Sequence, residues 1–125
     1  MSSKILWLAL AGVAGTLSRY WLQGLVQRHA GSVFPWGTLA VNMAGCFLFG
    51  LVWSLAEHRL TISSEVRTII LVGFMGAFTT FSSFAFETTQ LMRDAEWLLA
   101  GVNVVSQNVF GVVFLFLGLA LGRSI

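Results

Sequence analysis

Charged side chains are scarce in this chain of 125 residues. Five acidic and seven basic residues make up 10% of it, whereas 57% of its residues are hydrophobic. Soluble domains carry roughly 25% charged residues, which face the surrounding water. The mean hydropathy of +0.84 agrees with this shortage of charge. The composition excludes a soluble globular domain and indicates a protein that lies within a membrane.

The chain also lacks the reactive combinations of an enzyme. Its single cysteine, Cys46, has no partner for an intrachain disulfide. The two histidines, His29 and His58, lie in different loops without metal-ligand spacing. Neither histidine nor aspartate lies near Ser82 and Ser83 to act as a base. We therefore expect no enzymatic activity.

Four long apolar stretches fill most of the chain, and each reaches the about 20 residues that a spanning helix needs. A membrane β-barrel would instead show short segments of alternating hydrophobicity. A cleavable signal peptide is disfavoured because the first apolar run continues to Leu17. The sequence predicts one all-α, multi-pass transmembrane domain over residues 1–125. Its predicted spans are 4–26, 34–56, 66–92 and 97–121.

Basic residues lie at both ends of the predicted spans. With four crossings, one side carries Lys4, Arg59, Arg67 and Arg123, and the other carries Arg28 and Arg93. This is a weak bias by the positive-inside rule, so insertion in both orientations, and hence an antiparallel homodimer, is open. Because these charges are scattered, the net charge of +2 does not indicate a nucleic-acid partner.

Polar residues interrupt the third apolar stretch. Gly76 and the threonines Thr79 and Thr80 weaken helical continuity there. A break exposes backbone groups at membrane depth, where free carbonyls bind a cation and a new helix N-terminus favours an anion. The alternative is a modest kink with the hydroxyls bonded back to their own helix, and composition alone slightly favours it.

Two phenylalanines follow this interruption. Phe81 and Phe84 are three residues apart and share one helix face, and the hydroxyls of Thr80, Ser82 and Ser83 interleave with them. Phenylalanine is ordinary lipid-facing or core material in a membrane. However, an aromatic ring has a positive edge that can contact an anion, and hydroxyl or amide donors would complete the coordination.

Other polar and small residues inside the spans have two interpretations each. Asn42 either bonds across helices or points its amide into an anion path. Arg19 is expected to have a structural role, either snorkelling or pairing with backbone carbonyls. Glu87 is expected near the surface. Gly118 and Gly122 form a GxxxG pair, for which packing within the chain and packing in a dimer are equally open.

Three motifs follow one another along the chain. They are Gly12-x-x-Gly15 with Arg19-Tyr20, then Gly37-Thr38-Leu39-x-x-Asn42-x-x-Gly45, then Gly73-Phe74-x-Gly76 followed by Thr79-Thr80-Phe81-Ser82-Ser83-Phe84. In this order the motifs resemble the Fluc (CrcB) family of fluoride channels over nearly the whole chain. One position departs from the family pattern, which commonly has threonine where Ser83 stands. Serine keeps the hydroxyl and loses a methyl group.

The resemblance implies a passive channel that exports fluoride from the cytoplasm through two separate pores of an antiparallel homodimer. It implies that the pore is lined by Phe81, Phe84, Asn42, Thr80, Ser82 and Ser83. Asn103 and Ser106, which share a face of span four, are added as further lining residues. The resemblance also implies a structural sodium ion at the dimer interface, held by the backbone carbonyls of Gly76 and Thr79.

Two other classes of membrane protein have a similar size. A small dual-topology multidrug exporter also has four spans, but it uses a glutamate deep in span one. Span one of this chain carries Arg19 and no glutamate. A non-transporting subunit of a larger complex is the third possibility, and it would show no ion flux.

Overall fold

The computed structural model of the chain describes residues 2–59 and 61–125 and is helical throughout, apart from short connections. The helical elements in chain order are α1 (Ser2–Ala30), α2 (Trp36–His58), α3 (Ser64–Thr68), a π-helical segment (Ile69–Met75), α4 (Gly76–Phe78), α5 (Phe81–Arg93) and α6 (Trp97–Ser124). Four stretches are long and apolar enough to cross a membrane: Ser2–Ala30, Trp36–His58, Ser64–Arg93 and Trp97–Ser124. The prediction of an all-α chain with four spans is confirmed.

The helices extend beyond most of the predicted spans. Helix α1 continues to Ala30 and α6 continues to Ser124, because a helix can go on past the hydrocarbon layer with its polar end residues solvated. Pro35 precedes α2 at the N-cap position with φ −80° and ψ 68°. Ser63 caps α3, since its Oγ accepts the N–H of Val66 at 3.1 Å.

The third spanning stretch, Ser64–Arg93, changes its backbone geometry along its length. Helix α3 passes into the π-helical segment, and an α-helical turn returns at Gly76 and ends at Phe78. Thr79 (φ −93°, ψ 160°) and Thr80 (φ −148°, ψ 114°) both have extended backbones, and α5 begins at Phe81. We call Thr79 and Thr80 the extended pair.

Helices α2 and α6 pack closely along their lengths. A Cβ atom at Gly118 would overlap the carbonyl oxygen of Phe47, and a Cβ atom at Gly50 would overlap that of Leu115. Gly122 also packs against α2, where a Cβ atom would overlap Ser54. The GxxxG pair of α6 therefore serves packing within the chain, which resolves the two interpretations left open by the sequence.

Three basic residues meet at one end of the helix bundle. The Nη2 atom of Arg59 donates to the carbonyl oxygen of Arg123 at 3.4 Å, and the guanidinium of Arg67 lies 5.0 Å from the ring centroid of Trp53. The C-terminal ends of α2 and α6 and the start of α3 thus lie on the same side. This agrees with the side assignment made from the sequence.

Candidate functional site

A cavity of about 370 Å³ lies beside the extended pair. Its wall combines residues of α2, the third spanning stretch and α6. The polar side chains in the wall are Asn42, Thr79, Thr80, Gln107 and Asn108, and Gly76, Phe81 and Phe84 also line it. The structure therefore brings together six of the residues proposed from the sequence: Asn42, Gly76, Thr79, Thr80, Phe81 and Phe84.

The side chain of Asn42 is bonded to the backbone of the extended pair. Its Nδ2 donates to the carbonyl oxygen of Thr80 at 3.0 Å, and its Oδ1 accepts the N–H of Thr80 at 2.8 Å. The same Nδ2 also donates to Oε1 of Gln107 at 3.0 Å. One amide thus replaces bonds that a continuous helix would have made to Thr80, because an unpaired backbone group inside a membrane is costly.

Thr80 also caps the helix that follows it. Its Oγ1 accepts the N–H of Ser83 at 3.1 Å and donates to Oγ of Ser83 at 3.0 Å, and Oγ of Ser82 lies 3.5 Å away. These bonds need only the hydroxyl of residue 83, so serine in place of the family's usual threonine keeps them. The hydroxyls of Ser82 and Ser83 lie at this cap rather than in the cavity wall.

Phe81 and Phe84 form an edge-to-face pair at the start of α5. Their ring centroids are 5.4 Å apart with an interplanar angle of 65°. Phe84 is buried at 8% exposure, whereas Phe81 is 76% exposed in the single chain. The tilt presents the edge of one ring towards the face of the other beside the cavity, where the edges carry partial positive charge.

The first half of the third stretch ends with carbonyl groups that lack donors. In residues 2–59 and 61–125, no hydrogen bond reaches the carbonyl oxygens of Gly76, Phe78 and Thr79. The carbonyl of Ala77 differs, because Nε of Arg19 donates to it at 3.0 Å. Backbone oxygens at a helix C-terminus carry partial negative charge, so these groups suit a cation.

Helix α2 approaches the extended pair closely because Gly45 has no side chain. A Cβ atom at Gly45 would overlap the Cγ2 methyl of Thr79. The Oγ1 of Thr79 in turn donates to the carbonyl of Met75 at 3.0 Å. Both contacts help to hold Thr79 where the first helical half ends.

Asn103 and Ser106 lie away from this cavity. Asn103 is fully buried, and its Nδ2 donates to Oγ1 of Thr88 at 2.9 Å, which joins α6 to α5. The Oγ of Ser106 donates to the carbonyl of Asn103 at 3.3 Å, and Ser106 lines a separate apolar hollow along α6. Their assignment to the pore stays a prediction, and in the single chain neither one lines the wall that holds Phe81.

Gln107 has a contact at the site that the sequence analysis did not predict. Gln107 lines the cavity, and its Oε1 accepts a hydrogen bond from Asn42. The expected position of Glu87 near the membrane surface stays a prediction; its Oε1 is buried and accepts no hydrogen bond from residues 2–59 and 61–125. The local sequence around Gln107 could not predict its contact with Asn42, because the two residues lie 65 positions apart in the chain.

Metal ligation by side chains has no counterpart in the part of the chain that the structure describes. No group of three or more histidine, cysteine, aspartate or glutamate residues is close enough to hold a metal ion there.

The four spanning helices define a multi-pass membrane protein, and an open, largely apolar cavity with a few polar groups lies beside the extended pair against three of the spans. The chain belongs to the CrcB family, whose sequence model, described as "CrcB-like protein, Camphor Resistance (CrcB)", matches residues 6–119. The resemblance drawn from the three motifs is thus confirmed.

Curated relatives match the chain from end to end. A protein of Nitrosococcus oceani named "Fluoride-specific ion channel FluC" is 58% identical over 125 residues, which cover all of both chains. Proteins with the same name from Solidesulfovibrio magneticus and Desulforapulum autotrophicum are each 53% identical over 125 residues, again over the whole of both chains. These relatives are named as ion channels and not as enzymes, in agreement with the expectation of no enzymatic activity.

Proposed function

We propose that this chain forms a fluoride-selective passive channel that exports fluoride from the cytoplasm across the inner membrane. The observation that carries the proposal is the cavity at the extended pair, where phenyl rings and amide groups meet at membrane depth. The full-length relatives named as fluoride-specific channels support the choice of ion.

The interruption of the third stretch gives the cavity an anion-attracting end. Helix α5 begins at Phe81, so its first N–H groups have no helical acceptor and carry partial positive charge. The ring edges of Phe81 and Phe84 lie at the same end. A small anion that gives up part of its hydration shell would find polarised donors there instead of bare hydrocarbon.

The functional unit in this proposal is an antiparallel homodimer with two pores. In a single chain, Phe81 is 76% exposed although it lines the cavity, so one side of the site lacks a wall. A second copy would supply that wall. The weak bias of basic residues between the two sides supports insertion in both orientations, which an antiparallel pair requires.

A structural sodium ion at the dimer interface is the second part of the proposal. The carbonyls of Gly76 and Thr79 accept no hydrogen bond from residues 2–59 or 61–125, and hard cations prefer oxygen ligands. These residues therefore fit a sodium ion, which would neutralise the negative end of the first helical half and join two copies. Arg19 keeps the carbonyl of Ala77 occupied and so leaves it out of the ligand set.

The proposed function is tested by ion efflux from liposomes that contain the purified protein. Liposomes loaded with potassium fluoride are expected to release fluoride rapidly once valinomycin carries the potassium, as read by a fluoride electrode. Liposomes loaded with potassium chloride are expected to release chloride no faster than protein-free liposomes do. Equal efflux of the two anions would reject selectivity, and proton-driven drug uptake without fluoride efflux would favour the multidrug exporter class.

Replacing sodium by potassium at equal ionic strength is expected to weaken both the dimer and the flux. A ligand present at 100 times its dissociation constant stabilises a folded state by about 2.7 kcal/mol, so sodium chloride should raise the thermal midpoint by several degrees over potassium chloride. Fluoride efflux should fall several-fold without sodium, and size-exclusion chromatography should show dissociation. Identical thermal midpoints, elution volumes and fluoride fluxes in the two salts would show that the protein has no structural sodium ion.

A further inference from the structure

We propose that Gly45 is a positioning residue for the sodium site, because the space beside its backbone fixes the side chain of Thr79 and thereby the direction of the Thr79 carbonyl. This inference rests on the sodium ion of the proposed function. It adds a role for helix α2, none of whose residues is proposed as a ligand of that ion. Helix α2 positions the ligand from one side of the extended pair.

The carbonyl of Thr79 has no hydrogen bond of its own to fix its direction. No donor among residues 2–59 and 61–125 reaches it. Its direction therefore depends on the other atoms of Thr79 and of the same peptide unit. Metal–ligand distances have to agree within about 0.2 Å, so a small displacement of this carbonyl would weaken the binding of an ion.

The side chain of Thr79 is held at two points. Its Oγ1 donates to the carbonyl of Met75 at 3.0 Å, and its backbone N–H donates to the same carbonyl at 3.1 Å. Because a β-branched side chain has a stiff χ1 angle, the bonded hydroxyl also determines where the Cγ2 methyl lies. This methyl overlaps the place where a Cβ atom would stand at Gly45, and we call that space the Gly45 notch.

The other side of the same peptide unit is held from the same face of α2. Asn42 and Gly45 are three residues apart and therefore share a helix face. Oδ1 of Asn42 accepts the N–H of Thr80 at 2.8 Å. In a planar trans peptide this N–H and the carbonyl of Thr79 point in opposite directions, so the bond turns the carbonyl away from Asn42. One face of α2 thus sets both the position of the peptide unit and the direction of its oxygen.

The Gly45 notch can be tested by exchanging one methyl group between two residues. Gly45→Ala places a methyl where Cγ2 of Thr79 lies, and Thr79→Ser removes that Cγ2 but keeps the hydroxyl. In the double variant the nearest atoms to the new methyl are Cδ2 of Phe78 at 3.4 Å and Cβ at position 79 at 3.6 Å, which are ordinary contacts. Gly24→Ala is the matched control, because Gly24 is exposed on α1 and a Cβ atom there meets nothing within 4 Å beyond its own helix.

The readout is the sodium concentration that gives half of the full rise in thermal midpoint, measured in mixtures of sodium and potassium chloride at constant ionic strength. Gly45→Ala is expected to raise this concentration about tenfold and to lower fluoride efflux, since a methyl added to a filled space displaces its neighbours. The double variant Gly45→Ala/Thr79→Ser is expected to return to within about threefold of the wild type, because the two changes act on one contact. Gly24→Ala should stay unchanged. A purely structural defect would lower the midpoint at every sodium concentration and leave the half-effective concentration where it was.

An unchanged half-effective sodium concentration in folded Gly45→Ala would overturn the inference. A loss that Thr79→Ser does not reverse would also overturn it, because the cause would then be separation of the helices and not the methyl overlap. If Gly45→Ala alone does not fold, the double variant decides: a wild-type value supports the inference, and a raised value overturns it. If the wild-type protein shows no rise in midpoint with sodium, the sodium proposal and this inference fail together, while fluoride efflux through the wild-type protein decides separately on the channel function.

Discussion

Asn42→Asp is expected to reduce fluoride efflux by roughly 100-fold, the effect of a barrier higher by about 3 kcal/mol. Aspartate keeps the shape of asparagine but loses the amino group that donates to the carbonyl of Thr80 and to Gln107. Two oxygen atoms then face each other where a hydrogen bond was. The carboxylate also places a negative charge in the wall of a cavity proposed to carry an anion.

The measurement is initial fluoride efflux from liposomes at equal protein content, with thermal midpoints to compare folding. Gln90→Glu introduces the same change of amide to carboxylate at an exposed position of α5 and should keep the wild-type rate. Asn42→Ala removes the hydrogen bonds without adding charge, so its loss should be smaller, roughly tenfold. Wild-type flux in a folded Asn42→Asp protein would show that permeation depends neither on the hydrogen bonds donated by Asn42 nor on the charge at this position.

Phe81→Ile is expected to lower fluoride efflux about tenfold, because a contact with the polarised edge of an aromatic ring contributes about 0.5–1.5 kcal/mol. Isoleucine keeps an apolar side chain at the start of α5 but has no ring quadrupole. Since the two rings contact each other at 5.4 Å, the double variant with Phe84→Ile should lose more flux than either single variant. The same efflux assay measures all three.

Phe86→Ile is the matched control for this experiment. Phe86 lies on α5 at 64% exposure and does not line the cavity, so its replacement should leave the flux unchanged. An equal loss in Phe81→Ile and Phe86→Ile would mean that phenylalanine acts here through general packing in the bilayer. Wild-type fluoride efflux in Phe81→Ile would show that the ring edge of Phe81 does not contribute to permeation.

Much of the candidate site could be predicted from the sequence because its residues are neighbours in the chain. The run from Gly76 to Phe84 combines helix-weakening residues, hydroxyls and rings within nine positions, so a local pattern was enough to select it. Asn42 was selected because an amide in the middle of an apolar span needs a partner. Its partner could not be identified in this way, since Thr80 lies 38 positions further along the chain.

Other assignments depended on which face of a helix meets which neighbour. Asn103 and Ser106 are three residues apart on α6, but Asn103 packs towards Thr88 and Ser106 lines a separate hollow, so neither lines the cavity at the extended pair. From the sequence, Gly118 and Gly122 could pack against a second copy or against a helix of the same chain. The structure shows that they pack against α2 of the same chain. Spacing gives the relative angle of two side chains on a helix, but it does not give the rotation of the helix in the bundle.

The sequence by itself determined the membrane location, the four spans and the family, because these follow from hydrophobicity summed over long stretches and from motifs within one span. Only the tertiary structure decided that Asn42 holds the extended pair, that Gln107 keeps a buried donor without an acceptor, and that Arg19 occupies the carbonyl of Ala77. The first and the last are contacts between different spans, and the position of Gln107 depends on its contact with Asn42 in another span. Such contacts depend on how helices dock against one another in three dimensions, and no pattern within a single span contains that information.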